Sequence, residues 1–230
     1  MTGLLLAAGY ALLFIFIIRK HRFYHVDGIS KNAFTVTFIA KIISGFAFWA
    51  VYTYYGNYAN KSDAFLYFDD GKILYSALFN NPLDYVKLLL GFDDESLKYY
   101  INQTGYWSRE FNQGLYNETR TVIRFNALTC LFSFGYFHVH TVFMCFVSFT
   151  GLVGIYKSFH HYFRNKKYEL FFSVFFLPSV LFWSSGVLKE GLIMFSMGLL
   201  IYHWFKFLSE GFSFKRLMRC VLIRLIFTPT

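Results

Sequence analysis

Gly3-Leu4-Leu5-Leu6-Ala7-Ala8-Gly9-Tyr10-Ala11-Leu12-Leu13-Phe14-Ile15-Phe16-Ile17-Ile18, stopped by Arg19-Lys20-His21-Arg22, decides the fold class. An uncharged run of this length closed by a basic cluster is what a helix needs to cross a bilayer and halt at its surface. A basic n-region and a cleavage site of a secretory signal are both missing, so the run reads as a retained span. The same alternation of apolar run and basic stop continues through the chain. The second span runs from about Phe34 to Tyr54, with Lys41 two turns in and read as snorkelling to the cytoplasmic interface. Tyr52, Tyr54, Tyr55 and Tyr58 then form an aromatic belt at the other surface.

Composition agrees. Of 230 residues, 56% are hydrophobic and 15% charged, against roughly 25% charged in soluble domains. The formal charge of +9 sits in short segments: Arg19, Lys20, Arg22 and Lys31; Lys157, Arg164, Lys166 and Lys167; Lys206, Lys215, Arg216 and Arg219. Short basic loops between apolar runs lie in the cytoplasm. The charge therefore sets topology and meets anionic lipid headgroups, and nucleic acid is excluded as a partner because no basic stripe forms on a soluble face. Cys130, Cys145 and Cys220 fall in apolar surroundings without metal-ligand spacing and read as small buried hydrophobes.

Residues 56–120 form the long polar stretch and hold most of the 13 acidic residues. Within this loop, Ala64, Phe65, Tyr67, Phe68, Leu74, Tyr75 and Leu78 predict an amphipathic helix over Asp63–Phe79, broken at Asn81-Pro82, with a second short helix from Leu83 to Leu90. From Val122 to Tyr156 the chain is apolar for longer than one span requires. Two readings stand: a short re-entrant helix over Val122–Phe134 followed by a span over Val139–Tyr156, or one bent span. His138 and His140 share neither a helical face nor a third ligand. A further span over Leu170–Trp183 carries Pro178, expected to kink it, and another runs from Val187 to Phe205. A last apolar run from Leu217 ends at Thr230, too short to cross, so the chain reads as a fragment of a longer protein. The expectation is an all-α polytopic bundle of about five full spans plus a partial C-terminal one, with a helical extracytoplasmic loop.

Two segments carry candidate chemistry. In Lys61-Ser62-Asp63-Ala64-Phe65-Leu66-Tyr67-Phe68-Asp69-Asp70-Gly71, Asp63 beside the aromatic belt could take a proton from a hydroxyl in a water-poor cleft. Asp63 and Asp70, seven apart, would share a helical face, and Asp69 with Asp70 could give oxygen ligands to a divalent metal ion. Equally, Asp63 after Ser62 makes a good helix start. In Phe182-Trp183-Ser184-Ser185-Gly186-Val187-Leu188-Lys189-Glu190-Gly191, the turn before a helix offers backbone donors to a phosphate, with Lys189 adding charge and Glu190 set about 100° round the helix. The plain alternative is a hydroxyl cap with a snorkelling Lys189. Arg109, Arg120 and Arg124 are further cationic candidates; Arg124, next to the apolar run and Asn126, could hold a phosphate bidentately or anchor at the interface.

Ser62-Asp63-Ala64-Phe65-Leu66-Tyr67-Phe68 and Trp183-Ser184-Ser185-Gly186-Val187-Leu188-Lys189-Glu190-Gly191-Leu192 resemble the EpsG-type exopolysaccharide polymerases. That family of bacterial membrane proteins is similar in style to C-class membrane glycosyltransferases. The resemblance extends from about Phe34 to Arg224. It implies an inner-membrane enzyme that takes sugars from a polyprenyl-phosphate carrier at the periplasmic face. Asp63 would serve the acceptor hydroxyl, Lys189 and Arg124 would hold the leaving phosphate, and Tyr67, Ser184, Ser185 and Glu190 would line the substrate site. A transporter or flippase of lipid-linked sugars, or a non-catalytic membrane scaffold, is the alternative expectation.

Overall fold

The computed structural model describes residues 2–55, 62–92, 94–107 and 119–210, and the regular elements there are all helical. Arg109, Tyr58, Cys220 and the last apolar run, all singled out in the sequence, lie outside the described residues.

Helix α1 (Thr2–Lys20) ends on its basic cluster. A short 3-10 turn, Arg22–Tyr24, leads to α2 (Lys31–Tyr54), whose first turn is capped by the Ser30 hydroxyl accepting from the Ala33 N–H at 3.1 Å. Next come α3 (Asp63–Asn80) and α4 (Pro82–Leu90). Between them, Asn81 caps Leu83 N and Pro82 fills the first helical position, where its missing N–H costs nothing. A short helix α5 (Lys98–Ile101) leads to α6 (Thr119–Ser133) and α7 (Phe137–His160). The chain continues through α8 (Lys167–Phe175) and α9 (Pro178–Trp183) to α10 (Lys189–Glu210).

Four helices among the described residues, α1, α2, α7 and α10, are long and apolar enough to cross a membrane. The fifth expected span, Leu170–Trp183, is two short helices instead. Leu177 is extended (φ −58°, ψ 119°) ahead of Pro178, because the proline ring disfavours helical backbone at the preceding residue and removes a donor. Neither half reaches the length of a span. The long apolar stretch 122–156 likewise resolves as two helices. Phe134 (φ 51°) and Gly135 (φ 78°) reverse the chain between α6 and α7, and left-handed backbone of this kind is what glycine accepts without strain.

Helix α7 is the axis of the bundle: 72% of its apolar window is buried, against 17–33% for the other three. Helices α1, α2, α8 and α10 all pack on it. At the end of the bundle that carries Arg22, Lys157 and Lys167, the core is a cluster of rings. Phe34 meets Phe149, Tyr156, Phe171 and Phe175 edge-on at 5.5–6.4 Å between centroids. Helix α10 touches α7 backbone to backbone, since a Cβ on Gly198 would stand 2.0 Å from the Gly151 carbonyl oxygen. Small residues are what allow two helix backbones to approach this closely.

At the opposite end α3 lies against α6. It buries Ala64, Tyr67, Phe68, Gly71, Leu74 and Ala77, an i, i+3, i+4, i+7 stripe that matches the predicted amphipathic helix. The two cores meet near Met144 of α7, which joins Phe48, Tyr67, Val187, Leu188 and Leu192 in one apolar cluster.

Candidate functional site

Asp63 is the first residue of α3 and is exposed. Its carboxylate accepts a long hydrogen bond, 3.4 Å, from the hydroxyl of Tyr67 one turn on. Tyr67 itself is 2% exposed, so it positions Asp63 from beneath rather than lining an open cleft. Its ring meets Tyr106 edge-on at 5.5 Å, and its backbone carbonyl accepts from Asn126 Nδ2 at 3.4 Å.

Asp70 is 4% exposed, and both its oxygens are bonded. Its two carboxylate oxygens accept from the backbone N–H groups of Gly105 at 2.9 Å and Tyr106 at 2.8 Å. Burial pushes its carboxyl above the ordinary 3.8, against the lowering effect of those two bonds, and the nearby Asp69 charge adds to the rise. Asp69 faces the other way, exposed and paired with Lys72 at 3.3 Å. The helical spacing of Asp63, Asp69 and Asp70 therefore does not converge on a cation. Among the described residues no group of three or more His, Cys, Asp or Glu side chains could hold a metal ion. Asp70 is an anchor for residues 105–107, not a ligand in waiting.

That anchor builds a cationic spot. Thr119 Oγ1 donates to Tyr106 O at 2.7 Å and Arg120 Nε to Trp107 O at 3.0 Å, so residues 105–107 are pinned to α3 and α6 at once. The Trp107 indole, 2% exposed, then receives two guanidinium groups, Arg120 and Arg124, each 5.2 Å from its centroid. Four residues apart on α6, these like charges share a helix face and repel one another. Among the described residues neither forms an ion pair. Two N–H groups of Arg124, Nε and Nη2, are buried with no hydrogen-bond acceptor. Buried donors of a charged group left unmatched are costly, and a phosphate is the acceptor whose geometry fits a guanidinium fork. Of this set, Arg124 and Arg120 were legible in the sequence. Trp107 was not; its only signal is a lone indole between Gly105 and Arg109 in a polar segment.

The second segment lies differently from its expectation. Ser184 and Ser185 are 1% and 0% exposed, and their hydroxyls donate backwards to Val180 O and Leu181 O, continuing α9 rather than capping α10. Both accept from Lys41 Nζ, at 2.6 and 3.2 Å. Lys41 is 1% exposed, so it does not snorkel. It sits some 15 Å along α2 from Lys31 at 1.5 Å per residue, enclosed by the bundle. The serine pair thus lies at the depth of Lys41 and closes on it, and the notion that these hydroxyls greet a phosphate at a surface is corrected. Cys145 completes the knot with weak contacts to Lys41 O and Ser185 O at 3.4 and 3.6 Å.

Lys189 and Glu190 open α10 half-buried. Glu190 Oε2 is buried without a hydrogen-bond partner. Val187 and Leu188, just before them, belong to the apolar cluster that also contains Tyr67, Trp107, Val122 and Ile123. The segments bearing Asp63, Arg124 and Lys189 are thereby gathered at one end of the bundle, whereas Ser184 and Ser185 turn into its interior. His140, one of the histidine pair, is a structural tie: fully buried, it bonds Ser133 Oγ and Asn126 Oδ1, both at 2.7 Å, and so locks α6 to α7.

No protein-family model matches this chain, and neither a curated protein nor a solved structure matches it.

Proposed function

We propose that this protein transfers sugars from a polyprenyl-phosphate carrier, as a polysaccharide polymerase or glycosyltransferase of the bacterial inner membrane. In this reading α8 and α9 together make a broken fifth crossing, and α3, α4 and α5 form a helical layer on the periplasmic side. The observation that carries the reading is Arg124. Its guanidinium is held over Trp107 beside Arg120, with two buried N–H groups that lack an acceptor. An anionic phosphate supplies those acceptors and relieves the repulsion between the two arginines.

In the transfer, the acceptor hydroxyl oxygen bonds to the anomeric carbon as the bond from that carbon to the carrier phosphate oxygen breaks. The hydroxyl proton passes to Asp63, steadied by Tyr67. The carrier leaves as a phosphate anion that keeps the bonding electrons. Arg124 and Arg120, with Lys189 as a further cation, stabilise the charge that develops on it, and fixed charge of this kind is usually the largest catalytic contribution. Asp70, buried and bonded to the Gly105 and Tyr106 N–H groups, acts by holding Trp107 in place.

The test uses protein reconstituted in lipid with a synthetic polyprenyl-phosphate sugar and its acceptor. Asp63→Asn should lower transfer by about a hundredfold or more, and Arg124→Gln should raise the carrier concentration needed as well, while both variants keep the amount of folded protein in the membrane. Transfer that persists in Asp63→Asn removes the catalytic role of that carboxylate. Carrier movement across the bilayer without sugar transfer would establish the transporter instead.

A further inference from the structure

Leu83, Val86 and Leu90 of α4 are 60%, 46% and 63% exposed. At about 100° per residue they fall within about 60° of one another, so they make one outward stripe, while Tyr85 and Leu88 are buried on the opposite face. Asp84 and Lys87 lie on one flank between the two faces, and Lys87 pairs there with Asp94 at 2.6 Å. A stripe of large apolar side chains left bare behind a packed apolar face marks a surface that something covers. We infer that α4 rests in the boundary between lipid and water, with Leu83, Val86 and Leu90 set into the hydrocarbon of one leaflet.

Polar ties fix the depth of α4 against the helices that are long enough to cross a membrane. Its Tyr85 hydroxyl donates to Ala127 O of α6 at 3.1 Å. On either side of Ala127, Asn126 and Ser133 both bond the imidazole of His140, the fourth residue of α7. This part of α6 is therefore level with the first turn of α7. Its last turn runs beside α1. Thr2 Oγ1 donates to Tyr136 Oη at 2.9 Å, and Tyr10, about 12 Å further along α1, donates to Phe132 O at 3.1 Å. Both α1 and α7 are apolar enough to cross a bilayer, so the lipid around their first turns also meets the flank of α6. There α6 exposes Leu128, Leu131 and Phe132, three and four residues apart on one face. Leu128 directly follows the residue whose carbonyl holds Tyr85, so this lipid-facing stripe leads to α4. Interfacial helices sink their apolar face about 5–10 Å into the boundary of headgroups and chains and keep charged residues towards water. Asp84 and Lys87, on the flank of α4, are placed for that role.

The experiment takes the full chain in nanodiscs and adds one tryptophan at a time: Val86→Trp, Leu90→Trp, and Glu95→Trp as a control on a side chain that is 88% exposed. The emission gained over wild type is quenched either by phosphatidylcholine brominated on its acyl chains or by aqueous iodide. Val86→Trp and Leu90→Trp should each lose roughly half or more of the added emission to brominated lipid and only about a tenth to iodide, and Glu95→Trp should show the reverse. Iodide quenching at positions 86 and 90 equal to that at position 95 puts α4 in water and overturns the proposal. Protection from both quenchers means that protein covers the stripe, which overturns it too, and a doubled mass in native mass spectrometry would identify that cover as a second copy of the chain. Val86 and Leu90 are both exposed, and either variant alone decides the matter if the other lowers the yield of folded protein. Sugar transfer at Asp63 can fail or succeed without affecting any of these readings.

Discussion

The two ends of this bundle are held together by different forces. At the basic end, Phe34, Phe149, Tyr156, Phe171 and Phe175 interlock as rings, and α7 meets α10 across a pair of glycines. At the other end, segments far apart in sequence are tied by directed polar bonds: Asp70 to Gly105 and Tyr106, Thr119 to Tyr106, and His140 to Asn126 and Ser133. Ring packing dominates the first region, with a few polar ties such as Tyr156 Oη to Lys167 O at 3.1 Å. The second is fixed by who bonds whom, and such ties hold a candidate site such as Arg124 over Trp107 in one geometry.

The largest effect should come from breaking the shape-held region at its tightest point. Gly198→Leu must push α10 away from α7, since even a Cβ would lie 2.0 Å from Gly151 O. We expect a loss of about 3 kcal/mol or more, read as a collapse of the thermal midpoint in nanodiscs and poor recovery of folded protein. A midpoint within a degree or two of wild type would mean that the glycine contact is incidental.

Breaking the polar region should do less to the whole and more to one place. Asp70→Ala strands the N–H groups of Gly105 and Tyr106, at about 1.5–3 kcal/mol for bonds to a charged acceptor. Hydrogen exchange at those two amides should accelerate strongly, and the Trp107 fluorescence environment should change with them. The global midpoint should move less than in Gly198→Leu. Unchanged exchange at Gly105 and Tyr106 would show that the carboxylate is not what holds them.

The same contrast explains what could be read from the sequence. Runs such as Gly3–Ile18, with its basic stop, and Phe34–Tyr54 revealed helices long and apolar enough to cross a membrane because hydrophobic length and loop charge are local properties. The stripe from Ala64 to Leu78 revealed α3 for the same reason. Pro178 was recognised as a disturbance, but its full effect was a division into α8 and α9, which depends on Leu177 going extended. Lys41 was read as snorkelling because sequence cannot show that Ser184 and Ser185, some 143 positions on, wait at its depth. Asp63 and Arg124 were picked out by residue type and surroundings. Trp107 escaped notice because its role exists only once Asp70 has fixed residues 105–107 under α6. Arrangements made by long-range polar bonds leave almost no periodic trace.

The smallest expected effect is also the most specific to Asp70. Burial, the dominant influence, raises its carboxyl above the ordinary 3.8, and the Asp69 charge adds to it. A carboxyl whose folded-state value exceeds its unfolded one binds protons more tightly when folded. The stability it contributes is therefore full below the unfolded value and is lost as pH rises through the folded one. Amide protection at Gly105 and Tyr106, corrected for intrinsic exchange, should accordingly strengthen on going from about pH 7 to about pH 4. Asp70→Asn, which cannot titrate, should lose that trend, and Asp69→Asn should shrink it by removing the neighbouring charge. Protection that weakens on acidification in wild type would mean that the ionised form is the one the fold prefers, and that the two backbone bonds outweigh burial.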